Sequence, residues 1–340
     1  MKKIGLYVHV PFCVRKCGYC DFYSITELSL IDDYVKAVIR NIKDYQYDTV
    51  YFGGGTPSML TASQIGRIIE AASPVSDAEI TIECNPQSSG GDYFRELRDT
   101  GVNRLSIGLQ SFDDETLRKL GRLHDSQTAV QTVFEAHDAG YENISIDLML
   151  GVSNIRPDFD TINNLPIKHV SAYILKIEDN TPFGNDKTLS FPDEDEVCDE
   201  YLETVKKLDF PQYEISNFAK IGYECKHNLK YWNCEEYFGI GPAAHSYLNG
   251  KRFAVLRDIK SFINSQLQPT YITDENPGGI DEKLMLGLRL TQKGINVADC
   301  KSENLQRYID AGMLRRSENI ITLTPRGALI SNSIITDLLC

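Results

Sequence analysis

The chain has 340 residues, 42% of them apolar and 24% charged, an ordinary globular balance that excludes disordered and fibrous classes. At about 150 residues per domain the length suggests roughly two domains. The net charge of −13, from 48 acids against 35 bases, disfavours bulk nucleic-acid binding, so any anionic ligand must be held by a local basic cluster. Nine cysteines, an odd number, argue for a reducing compartment with some thiols acting as ligands.

In chain order, β-rich runs alternate with helical spacing. Strands are predicted at Ile4–Val10, Thr49–Phe52, Glu79–Cys84, Asn103–Leu109, Asn143–Leu150 and His169–Leu175. Helices are predicted at Ile31–Ile42, Ala62–Ala72, Tyr93–Asp99 and Gln127–Ala139. Such alternation predicts a parallel sheet covered by helices. Asp99–Leu109 aligns without gaps on Asp138–Leu148, an echo with the length of one βα unit. Near residue 180 the composition turns polar and acidic. After about 261 the order helix, helix, hairpin, helix (Asp281–Leu290, Glu303–Met313, Asn319–Thr324, Gly327–Leu339) suggests a small winged-helix-like α+β unit. It shows no basic recognition helix, so a packing role is expected. No apolar stretch approaches the ~20 residues of a membrane span, and no cleavage site follows Lys2-Lys3, so a cytoplasmic location is expected.

The strongest chemical signal is Cys13-x3-Cys17-x2-Cys20, just after the first strand. In a βα barrel that loop lies at the face where sites are built. Three thiolates in eight residues suit an iron–sulfur cluster, whereas structural zinc normally takes a fourth ligand. Asp21 and His9 are near in sequence but awkwardly placed for that role.

With Tyr19 before the last cysteine, this pattern resembles the signature of radical S-adenosylmethionine proteins. The resemblance implies a partial (β/α)6 barrel and a [4Fe-4S] cluster whose open iron is chelated by S-adenosylmethionine. It also implies reductive release of a 5′-deoxyadenosyl radical. Gly53-Gly54-Gly55-Thr56-Pro57 follows the second strand, where glycines let backbone groups approach a ligand. Together with Glu83, Gln110 and Asp147 near strand ends, it resembles the oxygen-independent coproporphyrinogen III oxidase family. On that pattern Tyr7, Tyr19, Gly54, Gly55, Thr56, Glu83, Gln110, Arg122 and Asp147 would hold S-adenosylmethionine. The fixed fork of Arg122 suits a carboxylate. His124 is expected at the solvated surface.

Two local features are similar to the haem-chaperone (HemW-type) branch of that family. Phe22 stands where the oxidase carries a fourth cysteine, which argues against oxidase activity. The motif His227-Asn228-x-x-Tyr231-Trp232 resembles a haem-binding signature. A neutral imidazole is a common axial ligand, and Tyr231 and Trp232, the latter the only Trp, offer flat faces. Lys226 and Lys230 are expected to meet the propionates. Cys225, Cys234 and His245 are alternative ligands. The resemblance thus implies haem, a haem-acceptor protein and a reductant protein as partners, with room for transient contact with a membrane or membrane protein. The alternative activity is oxidative decarboxylation of coproporphyrinogen propionates to vinyls. The expected division is a barrel at 1–195, a connecting segment with the haem-like motif at 196–260, and the closing unit at 261–340.

Overall fold

The computed structural model describes residues 2–300 and 304–339. Six strands, β1 (Lys3–Val10), β2 (Gln46–Gly54), β3 (Glu79–Cys84), β4 (Arg104–Gln110), β5 (Asn143–Leu150) and β6 (His169–Ile174), lie side by side in sequence order, all parallel. Between them run α1 (Ile31–Asn41), α2 (Ala62–Ala72), α3 (Gly91–Asp99), α4 (Asp114–Leu120), α5 (Ser126–Asp138) and α6 (Phe159–Asn164). This is the parallel sheet with covering helices expected from the alternation, in the partial (β/α)6 barrel form that the resemblance implies. Several helices start at a side-chain cap, a contact typically worth about 0.5–2 kcal/mol. Thr61 and Gln64 form a reciprocal box on α2, and Asp113, Asp125 and Asp158 cap α4, α5 and α6. The short helix α4 escaped sequence reading because seven residues hold too little periodicity.

Period two sorts every strand into two faces. Leu6, Val8 and Val10, Val50 and Phe52, Ile80 and Ile82, Leu105, Ile107 and Leu109, and Ile144, Ile146 and Leu148 belong to the main apolar core shared with the helices. The alternate positions are polar and face the lumen: Tyr51, Glu83, Arg104, Ser106, Gln110, Asp147 and Ser171 all border one cavity there. The inside of this barrel is therefore a polar chamber.

The sheet extends on both sides. On one side β7 (Gln212–Glu214) and β8 (Asn217–Ala219) pair antiparallel, with β8 on β6. On the other, β9 (Tyr237–Ile240) lies parallel to β1, followed by antiparallel β10 (His245–Leu248), β11 (Lys251–Val255) and β12 (Thr270–Asp274). The closing unit has its own sheet of β13 (Ile295–Asn296), β14 (Leu314–Ser317) and β15 (Ile320–Leu323), and its own core around Leu288, Ile321 and Ile334. Helices Ile280–Gly287, Leu305–Asp310 and Ser331–Leu339 match the predicted order; the predicted start of the second, at Glu303, lies outside the described residues. The unit meets the barrel through Thr291 N–H donating to Tyr213 O at 3.1 Å and an Arg289–Glu214 ion pair at 3.1 Å. Among the described residues no helix is long and apolar enough to cross a membrane.

Candidate cofactor cavity and the barrel foot

The three cysteines sit on the loop from β1 to α1. Its base is pinned by Cys13 N–H donating to Ile25 O (2.9 Å) and Ile25 N–H donating to Pro11 O (2.7 Å). Cys20 N–H turns back onto Cys17 O at 3.2 Å. All three thiols are half-buried and border the same cavity. Thr56 donates to Cys13 Sγ at 3.5 Å. Burial, with the neighbouring Cys17 and Cys13 charges, raises the Cys20 thiol. The sulfurs share one wall without converging: among the described residues no three His, Cys, Asp or Glu side chains form a metal-holding group. His9 is committed to Tyr7 and to Tyr23 O, and Asp21 accepts from Asn180, so neither adds a fourth ligand. Three soft donors and no fourth fit a cluster that keeps one iron open, not structural zinc.

The cavity measures about 580 Å³, within the usual range for ligand sites. Eight of the nine residues expected to hold S-adenosylmethionine border it: Tyr19, Gly54, Gly55, Thr56, Glu83, Gln110, Arg122 and Asp147. Tyr7 does not; its hydroxyl turns to His9 Nδ1 at 3.2 Å. The glycine turn is built for close approach. Gly54 has φ +111°, and a Cβ there would lie 2.6 Å from the His9 ring. At Gly55 a Cβ would come 2.8 Å from Phe12 O. Gly55 and Thr56 N–H groups instead donate to Val10 O and Phe12 O, both at 2.8 Å, lacing β2 to the cysteine loop.

Glu83 accepts from Tyr51 O–H at 2.9 Å and from Gly54 N–H at 3.1 Å. Burial, with the Asp147 charge added, pushes its carboxyl up to about 7. Burial also raises Asp147, against hydrogen bonds from Ser171 and Ser106 and the charge of Arg104. Gln110 ends β4 in the left-handed region at φ +70°, a strained position of the kind that collects at binding sites. Its Oε1 and the Arg122 Nε are buried without partners, while Arg122 Nη1 donates to Asn85. Such orphaned polar atoms on a cavity wall are what a polar ligand with a carboxylate and an amide-like edge would satisfy. The chamber therefore fits S-adenosylmethionine.

Arg104 was not foreseen. It is 1% exposed, borders the cavity, and its Nε has no partner. The signal lay in β4 itself, Arg-Leu-Ser-Ile-Gly-Leu-Gln, with a polar residue or glycine at every second position. His124 is likewise inside: 7% exposed, it bonds Leu109 O at 3.1 Å and Gln87 at 3.3 Å, correcting its expected place at the surface.

The expected haem motif lies elsewhere. The helix Lys226–Trp232 packs on β2 and plugs the foot of the barrel, at the opposite end from the cysteine loop. His227 is 1% exposed, with Nδ1 on Thr49 Oγ1 and Nε2 on Tyr231 O–H, both at 2.8 Å. Its ring stacks on Tyr51 with centroids 5.2 Å apart and 28° between planes. Gly5 makes the room, since a Cβ there would lie 3.1 Å from the imidazole. Burial, with Lys230 and Arg104 nearby, lowers His227 to about 3, so the ring is neutral. Trp232 lies under the Arg289 guanidinium at 4.3 Å, and Asn228 alone of the four reaches the cavity. The expected lysine pair is not formed. Lys226 is exposed, but Lys230 is buried and bound to Asp48 at 2.9 Å and Glu235 at 3.3 Å. Cys225 is buried at the helix start, Cys234 is half-buried and His245 is exposed on β10.

A three-cysteine loop over a polar parallel barrel defines a radical S-adenosylmethionine protein, and the Radical SAM superfamily model matches residues 7–159. Relatives narrow this further. The chain is 33% identical to the "Heme chaperone HemW" of Lactococcus lactis over 98% of this chain and 96% of that one. The Bacillus subtilis protein of the same name is 32% identical, covering 96% of this chain and 97% of its own. That of Escherichia coli is 37% identical over 76% of this chain and 74% of its own. The chain belongs to the HemW family. Among solved structures, coproporphyrinogen III oxidase (HemN) from Escherichia coli superposes with a TM-score of 0.81 over 99% of this chain and 90% of that one, at 21% identity, which shows a shared fold.

Proposed function

We propose that this chain is a haem chaperone that binds haem through the Cys225–Trp232 segment and passes it to an acceptor protein. The observation that carries this reading is the near full-length similarity to relatives named haem chaperones. Phe22 supports it too: at 66% exposed on the cavity rim, it is a bare apolar side chain where the oxidase pattern has a fourth cysteine. Cys13, Cys17 and Cys20 would hold a [4Fe-4S] cluster. The cluster with S-adenosylmethionine would supply one-electron reductive chemistry at the cavity. Around it, Arg122 and Gln110 orient a carboxylate and an amino group. Glu83 and Asp147 accept hydroxyl or ammonium protons, and Thr56 steadies Cys13. His227 is the proposed axial ligand, with Tyr231 and Trp232 as porphyrin faces. A reductant protein and a cytoplasmic setting belong to the same reading, as does the division into 1–195, 196–260 and 261–340.

Haemin titration of the anaerobically reconstituted chain tests it. A Soret shift that His227→Ala weakens is expected. Conversion of coproporphyrinogen to protoporphyrinogen with S-adenosylmethionine and a reductant would favour the oxidase instead.

A further inference from the structure

The cavity and the motif meet at Tyr51 and Asn228. Tyr51 donates its hydroxyl to Glu83, on the cavity wall, at 2.9 Å, and its ring is the platform on which His227 stacks. Asn228, next to His227, also borders the cavity, so the plug helix is part of the chamber's floor. In this arrangement His227 cannot meet an iron. Both ring nitrogens are bonded and the ring is covered. Haem binding by His227 requires the segment to leave the foot. Its outer anchors are Lys230 on Asp48 and the Arg289 guanidinium over Trp232. At its end Cys234 takes φ +53°, a backbone corner at which the chain leaves the helix.

We propose that Tyr51 couples the two sites: a ligand that engages Glu83 from the cavity holds the Cys225–Trp232 segment in the barrel foot, and its departure frees the segment for haem. The inference rests on the haem reading of that segment. A ligand donating to Glu83 fixes the carboxylate in its charged form, the strongest acceptor for the Tyr51 hydroxyl. The ring is then clamped where its face supports His227 in its hydrogen bonds to Thr49 and Tyr231. Without the ligand, burial beside Asp147 makes the Glu83 carboxyl easier to protonate, and a carboxylic acid accepts from the Tyr51 hydroxyl more weakly than a carboxylate does. Linkage makes the effect reciprocal, so haem binding must loosen the cavity ligand by the same factor.

Cys225 provides the readout. It is fully buried at the start of the helix and becomes reactive when the segment leaves. Full-length chain with its cluster reconstituted is treated with iodoacetamide, with and without S-adenosylhomocysteine. Alkylation of the Cys225 peptide is followed by mass spectrometry. We expect the ligand to slow it about fivefold or more, the lower end of ordinary coupling. In Tyr51→Phe, which keeps the ring and removes the hydroxyl, the ratio falls to about one, whatever the separate rates become. Arg289→Ala, which loosens the segment from outside, raises the basal rate and keeps the ratio. An equal wild-type rate with and without ligand, or full protection surviving in Tyr51→Phe, overturns the proposal. The same ligand should weaken haemin binding by the same factor in the wild type and not in Tyr51→Phe. Cys225 protection without any haemin binding leaves the coupling standing and removes the haem reading alone.

Discussion

The cysteine loop at the mouth of the barrel and the His227 cluster at its foot treat buried polarity differently. At the mouth, Gln110 Oε1 and Arg122 Nε lack partners, Gln110 is strained, and three thiols share a wall without a metal-holding geometry. At the foot, both nitrogens of His227, the Tyr231 hydroxyl and the Lys230 ammonium are all matched. Unmet polar groups are costly unless something else meets them, so the mouth is a site in waiting. At the foot the His227 cluster is complete, although the indole N–H of Trp232 at the helix end is left without a partner, and any binding at His227 must first undo contacts. Two motifs that both read as functional in sequence therefore differ in readiness.

Four experiments can break or sharpen that contrast. The largest effect belongs to the mouth: Cys17→Ala should reduce iron and sulfide in the reconstituted chain to background while far-UV circular dichroism is unchanged. Full iron content in this variant would remove the cluster assignment. Next, Arg122→Ala should weaken S-adenosylmethionine binding roughly 10- to 150-fold by calorimetry, the value of a hydrogen bond to a charged group. A change below about twofold would mean that Arg122 only braces Asn85.

The third concerns the foot and acid. The folded chain refuses a proton on His227 until about pH 3, whereas the unfolded chain takes it near the ordinary histidine value of 6.5. His227 therefore contributes its full stability above 6.5 and loses it as pH falls towards 3. Urea unfolding should show wild type more stable than His227→Gln at pH 7, with the gap narrowing by about 2 kcal/mol at pH 5. A constant gap would show that the imidazole is solvated and the foot is open. His9 and His124, each lowered to about 4 by burial, act in the same direction but cancel in this comparison. The smallest effect is expected at neither end. Lys36→Ala breaks the exposed pair with Asp33 at 2.9 Å and should move the melting temperature by less than about 1 °C. A larger shift would show that stability is spread over the surface and not concentrated in the chamber.

The barrel was legible because its strands announce themselves as β-rich runs and its longer helices by their apolar spacing. Glu79–Cys84, Asn143–Leu150 and Ala62–Ala72 fall where sequence spacing puts them. The residues gathered at the mouth were legible as well, since strand ends on one side of a parallel barrel must converge. The state of the foot was not. A histidine that seals a barrel and one that waits for a metal have the same letters around them. Only the distances to Thr49 and Tyr231, which come from β2 and from the next helical turn, tell them apart. Lys230 was misread for the same reason, because its partner Asp48 is far away in sequence. Arg104 was overlooked because a charged residue at a strand start ordinarily faces solvent, and here the lumen is polar enough to keep it.

The strand β9 carries a consequence for how the molecule is made. It pairs with β1, through Gly5 to Val8 against Tyr237 to Ile240, yet is synthesised about 230 residues later. At ordinary translation speeds that is a delay of roughly 10–50 s, during which β1 has β2 on one side and an open edge on the other. The open edge belongs to the strand that leads directly into the cysteine loop. Closure of that edge is a long-range step of high contact order, slow compared with the local βα units. The plug helix Lys226–Trp232 immediately precedes β9, so the foot is stopped and the seam is sealed in the same stretch of emerging chain.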